Sequence, residues 1–366
     1  MSDWFSRSVV GQSGDSCYVS TMNRALSTIG FFAAFAMGSS TAVAAESRWN
    51  CTVAPASTYT QQTNIQIPLA GTWIGNYVAV TNETGTRTLP GFFGGSGNTA
   101  IPFSSTVKPT VSITNTHPTG TFQFGFNPVT GVVNVSNLLV DTLAGQTGTI
   151  STSMLLTYST FRTVQPSSTF IGLTNVDVPV DSGSLTAATA AQSAAAIGIA
   201  TANTDGTWAF AVTVPVTISV AGTALAQPFT SSSPAAMVLT GTFSIVGSAI
   251  SLTSQGSINE TVPVPAAPPL VSAPFDLPTI IPAGQVARLL ISGTFAEGSS
   301  TTVGSSSLVM NGVPAPIIGD INGDGVVTGA DLGLLLSGWG QPGPTDLNND
   351  GITNGFDLGV LLTNWS

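Results

Sequence analysis

The sequence predicts a mainly β protein, with an antiparallel β-sandwich or barrel-like body of one or two β units followed by a small α-helical module. Three observations support this class. The 366 residues include 40 Gly and 23 Pro, which favour turns over long helices. Runs rich in Val, Thr and aromatic residues recur between turn residues. The composition changes near residue 319, where a duplicated Asp-rich pattern begins.

The composition excludes whole classes of function. Only 7% of the residues are charged, the net charge is -10, and the chain has one His. A nucleic-acid-binding protein needs a basic surface that this chain cannot provide. The apolar fraction of 42% is sufficient for a sizeable core, so we expect a folded body.

The N-terminal 45 residues have the pattern of an export leader. Residues 22–45 contain Arg24, then an apolar run over 25–37, then small residues ending at Ala44 and Ala45. This order is typical of a secretory signal peptide, with Met22 as the expected start. Its removal predicts a secreted or cell-surface protein without a membrane span. Cys17 would leave with the leader, so Cys51 would remain as a free thiol without an intrachain partner.

The body is predicted to be a β-rich domain over 46–184 and a β-rich region over 206–297. An Ala-rich segment over 185–205 is expected to connect them as a short helix or flexible stretch, and residues 298–318 are expected to form a linker. Seven prolines within 262–282 indicate an extended crossing. The predicted strands cover 71–81, 121–126, 132–140, 149–164, 207–220, 237–246, 249–262 and 285–295.

The tail over 319–366 contains two copies of one pattern, D-x-N-x-D-G-[VI]-x-[TN]-x-x-D, separated by 26 residues. Alignment of 320–340 with 346–366 gives 11 identical residues in 21 pairs. Residues 317–366 hold six Asp and no Lys, Arg or His. This internal duplication predicts two equivalent acidic loops.

The loop chemistry predicts two calcium ions. Ca²⁺ takes roughly 6–8 oxygen ligands, which a 12-residue loop offers at positions 1, 3, 5, 7, 9 and 12. Gly325 and Gly351 at position 6 allow the sharp turn. The absence of thiolate and imidazole disfavours zinc and copper. The expected ligands, with a backbone carbonyl at position 7, are Asp320, Asn322, Asp324, Val326, Thr328, Asp331, Asp346, Asn348, Asp350, Ile352, Asn354 and Asp357.

A short helix is predicted after each loop, with one apolar face. In the first helix this face holds Leu332, Leu335, Leu336 and Trp339, and the second helix repeats it at 358, 361, 362 and 365. We expect the two faces to pack together. So small a core without a disulfide needs a metal, which predicts folding coupled to calcium.

A calcium loop followed by one helix, duplicated at a C-terminus, resembles the type I dockerin family over residues 319–366. The resemblance implies an EF-hand-like calcium site and docking to a cohesin module or a cell-surface scaffold, often in polysaccharide breakdown. Two features depart from the family pattern. Positions 10 and 11 are Gly329-Ala330 and Gly355-Phe356 instead of a hydroxyl pair, and basic residues late in the helices are absent.

The function of the body stays open between three hypotheses: a binding or structural and adhesive domain, a glycoside hydrolase acting on polysaccharide, and a barrel for an apolar ligand. The sequence favours a body without catalysis. No G-x-S-x-G motif accompanies His117, and no pair of carboxylates stands out. Exposed Trp73, Tyr77 and Trp208 on one face would favour glycan binding. The body's carboxylates are Glu46, Glu83, Asp141, Asp177, Asp181, Asp205, Glu260, Asp276 and Glu297.

Overall fold

The computed structural model of the protein describes residues 46–75, 80, 88–93, 98–172, 175–224 and 227–365. The predicted leader over 1–45, with Cys17, lies outside the described residues, as do Tyr77 and Glu83. The side chain of Asp181 is also outside the description. Within the described residues, no helix is both long enough and apolar enough to cross a bilayer.

Seventeen strands and two helices make up the described chain, and the mainly β class is confirmed. The helices are α1 (Gly329–Ser337) and α2 (Gly355–Thr363). The strands are β1 (Ser47–Val53), β2 (Thr58–Gly75), β3 (Thr88–Pro90), β4 (Ile101–Thr116), β5 (Thr119–Phe126), β6 (Val132–Asp141), β7 (Gly148–Tyr158), β8 (Phe161–Thr163), β9 (Ser168–Phe170), β10 (Val176–Gln192), β11 (Ala196–Ala202), β12 (Trp208–Ala224), β13 (Gln227–Val246), β14 (Ala249–Val264), β15 (Leu270–Pro278), β16 (Val286–Phe295) and β17 (Gly298–Pro314).

Fourteen strands form one antiparallel sheet that closes on itself like a ring. Its order is β11-β12-β13-β14-β17-β1-β5-β6-β10-β7-β4-β2-β16-β15, and further pairings join β11 to β6, β12 to β10 and β17 to β2. The pairing of β11 with β6 closes an eight-stranded ring that runs through β12, β13, β14, β17, β1 and β5. The remaining strands, β3, β8 and β9, form a separate small sheet.

The core lies inside the closed ring, because side chains alternate between its two faces. On β12, every second residue from Phe210 to Val220 is buried. On β5, Phe122, Phe124 and Phe126 are all buried. Phe124 meets Phe210 and Phe243 edge-on, with ring centroids 5.7 and 5.3 Å apart. Aromatic side chains therefore fill the interior of the ring around Phe124.

Two predicted connections are wrong, and the Pro-rich segment, which is extended as predicted, contributes a strand. The Ala-rich segment over 185–205 forms the end of β10 and all of β11, because small residues alternating across a sheet pack as well as they would on a helix. The predicted linker over 298–318 is largely β17, which pairs with β14 and β2. The Pro-rich crossing contains β15. The two predicted β regions of the body share one sheet.

Cys51 is the free cysteine of the described chain, and it is buried on β1. Burial raises the pKa of its thiol to about 12. The thiolate is the reactive form, so we expect no alkylation of native Cys51 by iodoacetamide at pH 8 and rapid alkylation in urea. Mass spectrometry of the labelled chain measures this. Fast labelling without denaturant would show that β1 is not packed as described.

Candidate metal centre

The first loop of the tail brings three carboxylates together. One oxygen from each of Asp320, Asp324 and Asp331 lies within 4.8 Å of the others. Two oxygens on opposite sides of one Ca²⁺, each about 2.4 Å from it, would be about 4.8 Å apart. These three residues are therefore close enough to bind a single ion.

Backbone N–H groups hold Asp320 at the start of this loop. Its Oδ1 accepts from the N–H groups of Gly323 at 2.7 Å and Asp324 at 3.1 Å, and its Oδ2 accepts from Gly325 at 2.8 Å. Gly325 has φ of 91°, a left-handed conformation in which glycine is unstrained. The predicted position-6 turn is confirmed, and the loop fixes the carboxylate of Asp320 through its own backbone.

Asp331 is the buried end of the same loop. Its Oδ1 accepts from the N–H groups of Ile321 at 2.8 Å and Asn322 at 3.1 Å, and its Oδ2 accepts from Thr328 at 2.8 Å. The hydrogen bond from Thr328, with those from Asn322 and Ile321, lowers the pKa of Asp331 although burial opposes the shift. Asp331 thus closes the loop back to its start.

The second loop repeats these hydrogen bonds. Asp346 accepts from the N–H groups of Asp350 at 3.1 Å and Gly351 at 2.8 Å, and Asp357 accepts from Asn348 at 3.0 Å and Asn354 at 2.7 Å. The carboxylates of this loop do not come within the distance found in the first loop; among the described residues that triad is unique. The two loops therefore share the same backbone hydrogen bonds, but the carboxylate triad is found in the first loop.

The pKa of Asp357 is also lowered. Burial raises this pKa, but the hydrogen bonds from the backbone of Asn354, Asn348 and Leu347 together lower it by more. The pKa is lowered at both Asp331 and Asp357, which occupy equivalent positions in the two loops. Both residues are fully buried by surface area.

The position-9 residues are the N-caps of the two helices. Thr328 Oγ1 accepts from the N–H of Ala330 at 3.3 Å, and Asn354 Oδ1 accepts from Phe356 at 2.8 Å. Asp331 and Asp357 complete a capping box at each helix. The sequence pattern for a metal loop and the signal for a helix start therefore fall on the same residues.

At positions 3 and 7 the predicted ligand residues take part in hydrogen bonds within their own loops; the carbonyl oxygen of Ile352, for example, accepts from Nδ2 of Asn354 at 3.1 Å. The Nδ2 groups of Asn322 and Asn348 donate to Asp324 at 2.8 Å and Asp350 at 2.9 Å. Both Asn residues, with Val326 and Ile352, are exposed. This places the predicted side-chain and carbonyl ligands around the outer part of each loop.

The core of the tail differs from the prediction. Val327, Leu335 and Leu361 are fully buried together, with Leu332 and Leu358 packed beside them. The predicted burial of two whole helix faces is wrong, because the helices alternate with loops that fill the space between them. Four residues of those faces are about half exposed: Leu336, Trp339, Leu362 and Trp365.

Sequence reasoning missed position 8 of each loop. Val327 and Thr353 occupy this position, and both are fully buried. Thr353 donates its N–H to the carbonyl of Gln341 at 2.9 Å and accepts from Gly340 at 2.8 Å. A β-branched residue at position 8 of both loops was the available signal.

Among its described residues, the body shows no pair of carboxylates or catalytic triad arranged for hydrolysis. His117 is exposed between β4 and β5, with Nδ1 2.9 Å from the carbonyl oxygen of Ser57. Glu46 pairs with Arg48 at 3.4 Å, and Asp276 lies opposite Arg288 across β15 and β16. The cavities described on the body, of about 450, 330 and 50 Å³, have no Asp or Glu in their walls.

Of the three aromatic residues whose joint exposure would favour glycan binding, the two that the structure describes are buried or partly buried. Trp73 is 1% exposed and stacks on Phe103 with ring centroids 4.8 Å apart. Trp208 is partly buried against the core, and Tyr77 lies outside the description.

The pH dependence of the tail follows from the lowered pKa of Asp331. A carboxyl whose pKa is lower in the folded state stabilises the fold above its unfolded pKa of about 3.9, and this stability is lost as the pH falls through the folded value. We expect the first loop to lose stability progressively as the pH falls below about 3.9 towards the lower folded pKa of Asp331. NMR amide shifts of Ile321 and Thr328 measure this. Unchanged shifts down to about pH 2 would contradict the prediction.

Comparisons with known proteins give no family. No protein-family profile matches the chain, and no curated protein matches it. The solved structures with some likeness include the outer membrane protease OmpT from Escherichia coli, at 7% identity over 72% of this chain and 98% of that chain, with a TM-score of 0.22. They also include the InvG secretin domain β-barrel from the Salmonella SPI-1 injectisome, at 11% identity over 80% of this chain and 69% of that chain, with a TM-score of 0.18.

Proposed function

We propose that the tail is a dockerin-like module that binds two calcium ions and docks a secreted β-rich protein to a cohesin-type partner or a cell-surface scaffold. The observation that supports it is the convergence of Asp320, Asp324 and Asp331 within 4.8 Å in a loop that is duplicated. The tail has no cation to neutralise these groups. A divalent ion would replace their mutual repulsion with attraction.

The donor set fits a hard cation. Carboxylate, amide and carbonyl oxygens are the ligands that Ca²⁺ prefers, and residues 317–366 contain no Cys or His for a softer metal. In the second loop, binding would require Asp346, Asp350 and Asp357 to move closer together. The ion supplies the attraction for this movement, so calcium would order the second loop more than the first.

The hydrogen bonds of Asp331 indicate how it would bind. Each carboxylate oxygen has about two lone-pair sites. Two backbone N–H groups donate to Oδ1 at 2.8 and 3.1 Å, and Oδ2 accepts from the N–H of Thr328 at 2.8 Å and from its Oγ1 at 3.4 Å. The hydroxyl contact on Oδ2 is the longest of the four, so we expect calcium to bind Asp331 through Oδ2 and to displace the Thr328 hydroxyl from it.

Docking is supported by apolar residues that the tail leaves outside. Phe356 is 75% exposed, and Leu336, Trp339, Leu362 and Trp365 are each about half exposed. Large exposed apolar residues gathered on a small module are typical of protein-binding surfaces. The resemblance to dockerins implies a cohesin module as the partner. The body, which has no catalytic arrangement among its described residues, would then be presented as a binding or structural domain that acts on polysaccharide without hydrolysing it.

A pull-down tests the proposed docking. Residues 46–366 are passed over an immobilised type I cohesin module in 2 mM calcium or in excess chelator, roughly matching the millimolar affinity range of extracellular calcium sites. We expect retention in calcium and release by chelator. Retention that chelator does not change, or no retention in calcium, would overturn the proposal for this partner.

A further inference from the structure

We propose that the free edge of β14, from Gln255 to Val264, binds an extended peptide as an added β-strand. An apolar side chain of the peptide would enter the cavity where β13 and β14 separate, and a cationic side chain would lie beside Glu260. This site is on the body and is independent of the function proposed for the tail.

The edge exists because two neighbouring strands separate. β13 and β14 pair only from Gly241–Ser254 to Val246–Ala249. Beyond that point β13 continues beside β12, and β14 continues beside β17. Among the described strands, nothing pairs with the other side of 228–240 or 255–264. The ring that runs through β14, β17, β2, β4, β7, β10, β12 and β13 therefore stays open at this seam.

The two edges differ in their capacity to accept a strand. β13 carries Pro228 and Pro234 along its free stretch. Proline within a strand normally places its missing N–H on the unpaired side, so this edge offers fewer donors. On β14 the free stretch has one proline, Pro263, near its end. An unbroken row of backbone groups over 255–262 is what an added strand requires.

A cavity lies where the two strands separate. Its walls include Met237 and Leu239 of β13, Ser254 of β14, Ile218 of β12 and Leu308 of β17. The volume is about 50 Å³, well below the roughly 300–1,000 Å³ of small-molecule sites. This space fits the tip of one apolar side chain. A peptide on the β14 edge would have such a side chain beside Ser254.

Charge defines the other end of the site. Glu260 is the single charged residue over 227–264. It is half-buried on the same face of β14 as Ser254, and no ion pair of the described residues includes it. Ser254 and Glu260 are six positions apart, which is about 20 Å along the strand. The partner is therefore an extended peptide with apolar and basic side chains six positions apart.

The test uses fluorescein-labelled peptides of about nine residues, alternating Thr and Val. They carry a Leu and a Lys six positions apart, in either order to cover both strand directions. Binding to residues 46–366 is followed by fluorescence anisotropy. We expect one of the two orders to bind. Glu in place of the Lys should weaken binding about threefold, and Asp in place of the Leu should weaken it about tenfold.

Two variants locate the peptide. Met237→Trp, which fills the cavity, should weaken binding about tenfold, and Glu260→Lys should reverse the preference so that the Glu peptide binds better. Asp205→Lys, in an exposed turn between β11 and β12, makes the same charge change elsewhere and should leave binding unchanged. Circular dichroism confirms that each variant is folded.

Three results would overturn the proposal. The first is no binding by either peptide at millimolar concentration. The second is equal binding by wild type, Met237→Trp and Glu260→Lys. The third is a dimer of residues 46–366 in sedimentation that Glu260→Lys dissolves, because it would make a second copy of the chain the occupant of this edge.

Discussion

The Asp324→Ala/Asp350→Ala double variant is expected to lose calcium binding at both loops. Each residue is the position-5 ligand of its loop, and Asp324 belongs to the carboxylate triad within 4.8 Å. Alanine removes one of three charges and one oxygen ligand from each site. Changing even an outer-shell partner costs 10–100-fold in metal affinity, so losing a direct ligand should cost about 100-fold or more at each site. Isothermal titration calorimetry of residues 46–366 measures this, with two ions expected for the wild type.

Asp205→Ala provides the matched control. Asp205 also accepts hydrogen bonds within an exposed turn, from the N–H and Oγ1 of Thr207 at 3.0 and 2.7 Å. Residues 203–207 contain no second carboxylate that could share a metal ion with it. We expect its calcium isotherm to match that of the wild type. If the double variant bound calcium as the wild type does, the ligands would lie elsewhere.

Phe124→Ala is expected to destabilise the body strongly. Phe124 is 1% exposed on β5 of the closed ring, against Phe210 and Phe243. Truncating a buried Phe removes apolar contacts and leaves a cavity, which costs about 3–5 kcal/mol. Urea unfolding followed by circular dichroism gives the change in the free energy of unfolding.

Phe93→Ala makes the same truncation at a site that is 87% exposed. Surface changes away from special features usually stay within about 0.5 kcal/mol. We therefore expect the Phe93 variant to unfold like the wild type. Similar losses for both variants would mean that the aromatic interior of the ring does not stabilise the body.

Local patterns were sufficient for many strands but not for their arrangement. Alternation of apolar and polar residues predicted the strands around Phe122–Phe126 and 207–220, because burial has the period of the strand. The Ala-rich β10 and β11 gave no such contrast, since alanine is small on either face. Closure through β11 and β6 joins residues more than 60 positions apart, and no local signal specifies that pairing.

In the candidate metal site, too, the sequence predicted local features but not how they pack together. Residue spacing predicted the duplicated loops, the glycine turns and the helix starts, because these depend on residues close in sequence. Packing of the tail could not be predicted from the helical period alone. Val327, from the loop, takes the place beside Leu335 and Leu361 that the pattern assigned to Leu336 and Trp339. Because Val327 from the loop occupies this part of the core, Leu336 and Trp339 of the helix remain at the surface.

The most direct measurement is the NMR spectrum of the indole N–H groups of Trp339 and Trp365 in residues 46–366, with calcium and after its removal by chelator. Trp339 follows α1 and Trp365 follows α2, so both indole signals report on the tail and not on the strands of the body. If calcium folds the tail, both signals should be dispersed with the ion and collapse to the shift of an unstructured indole without it, while the signals of the body stay in place. Identical dispersed signals in both conditions would contradict the account.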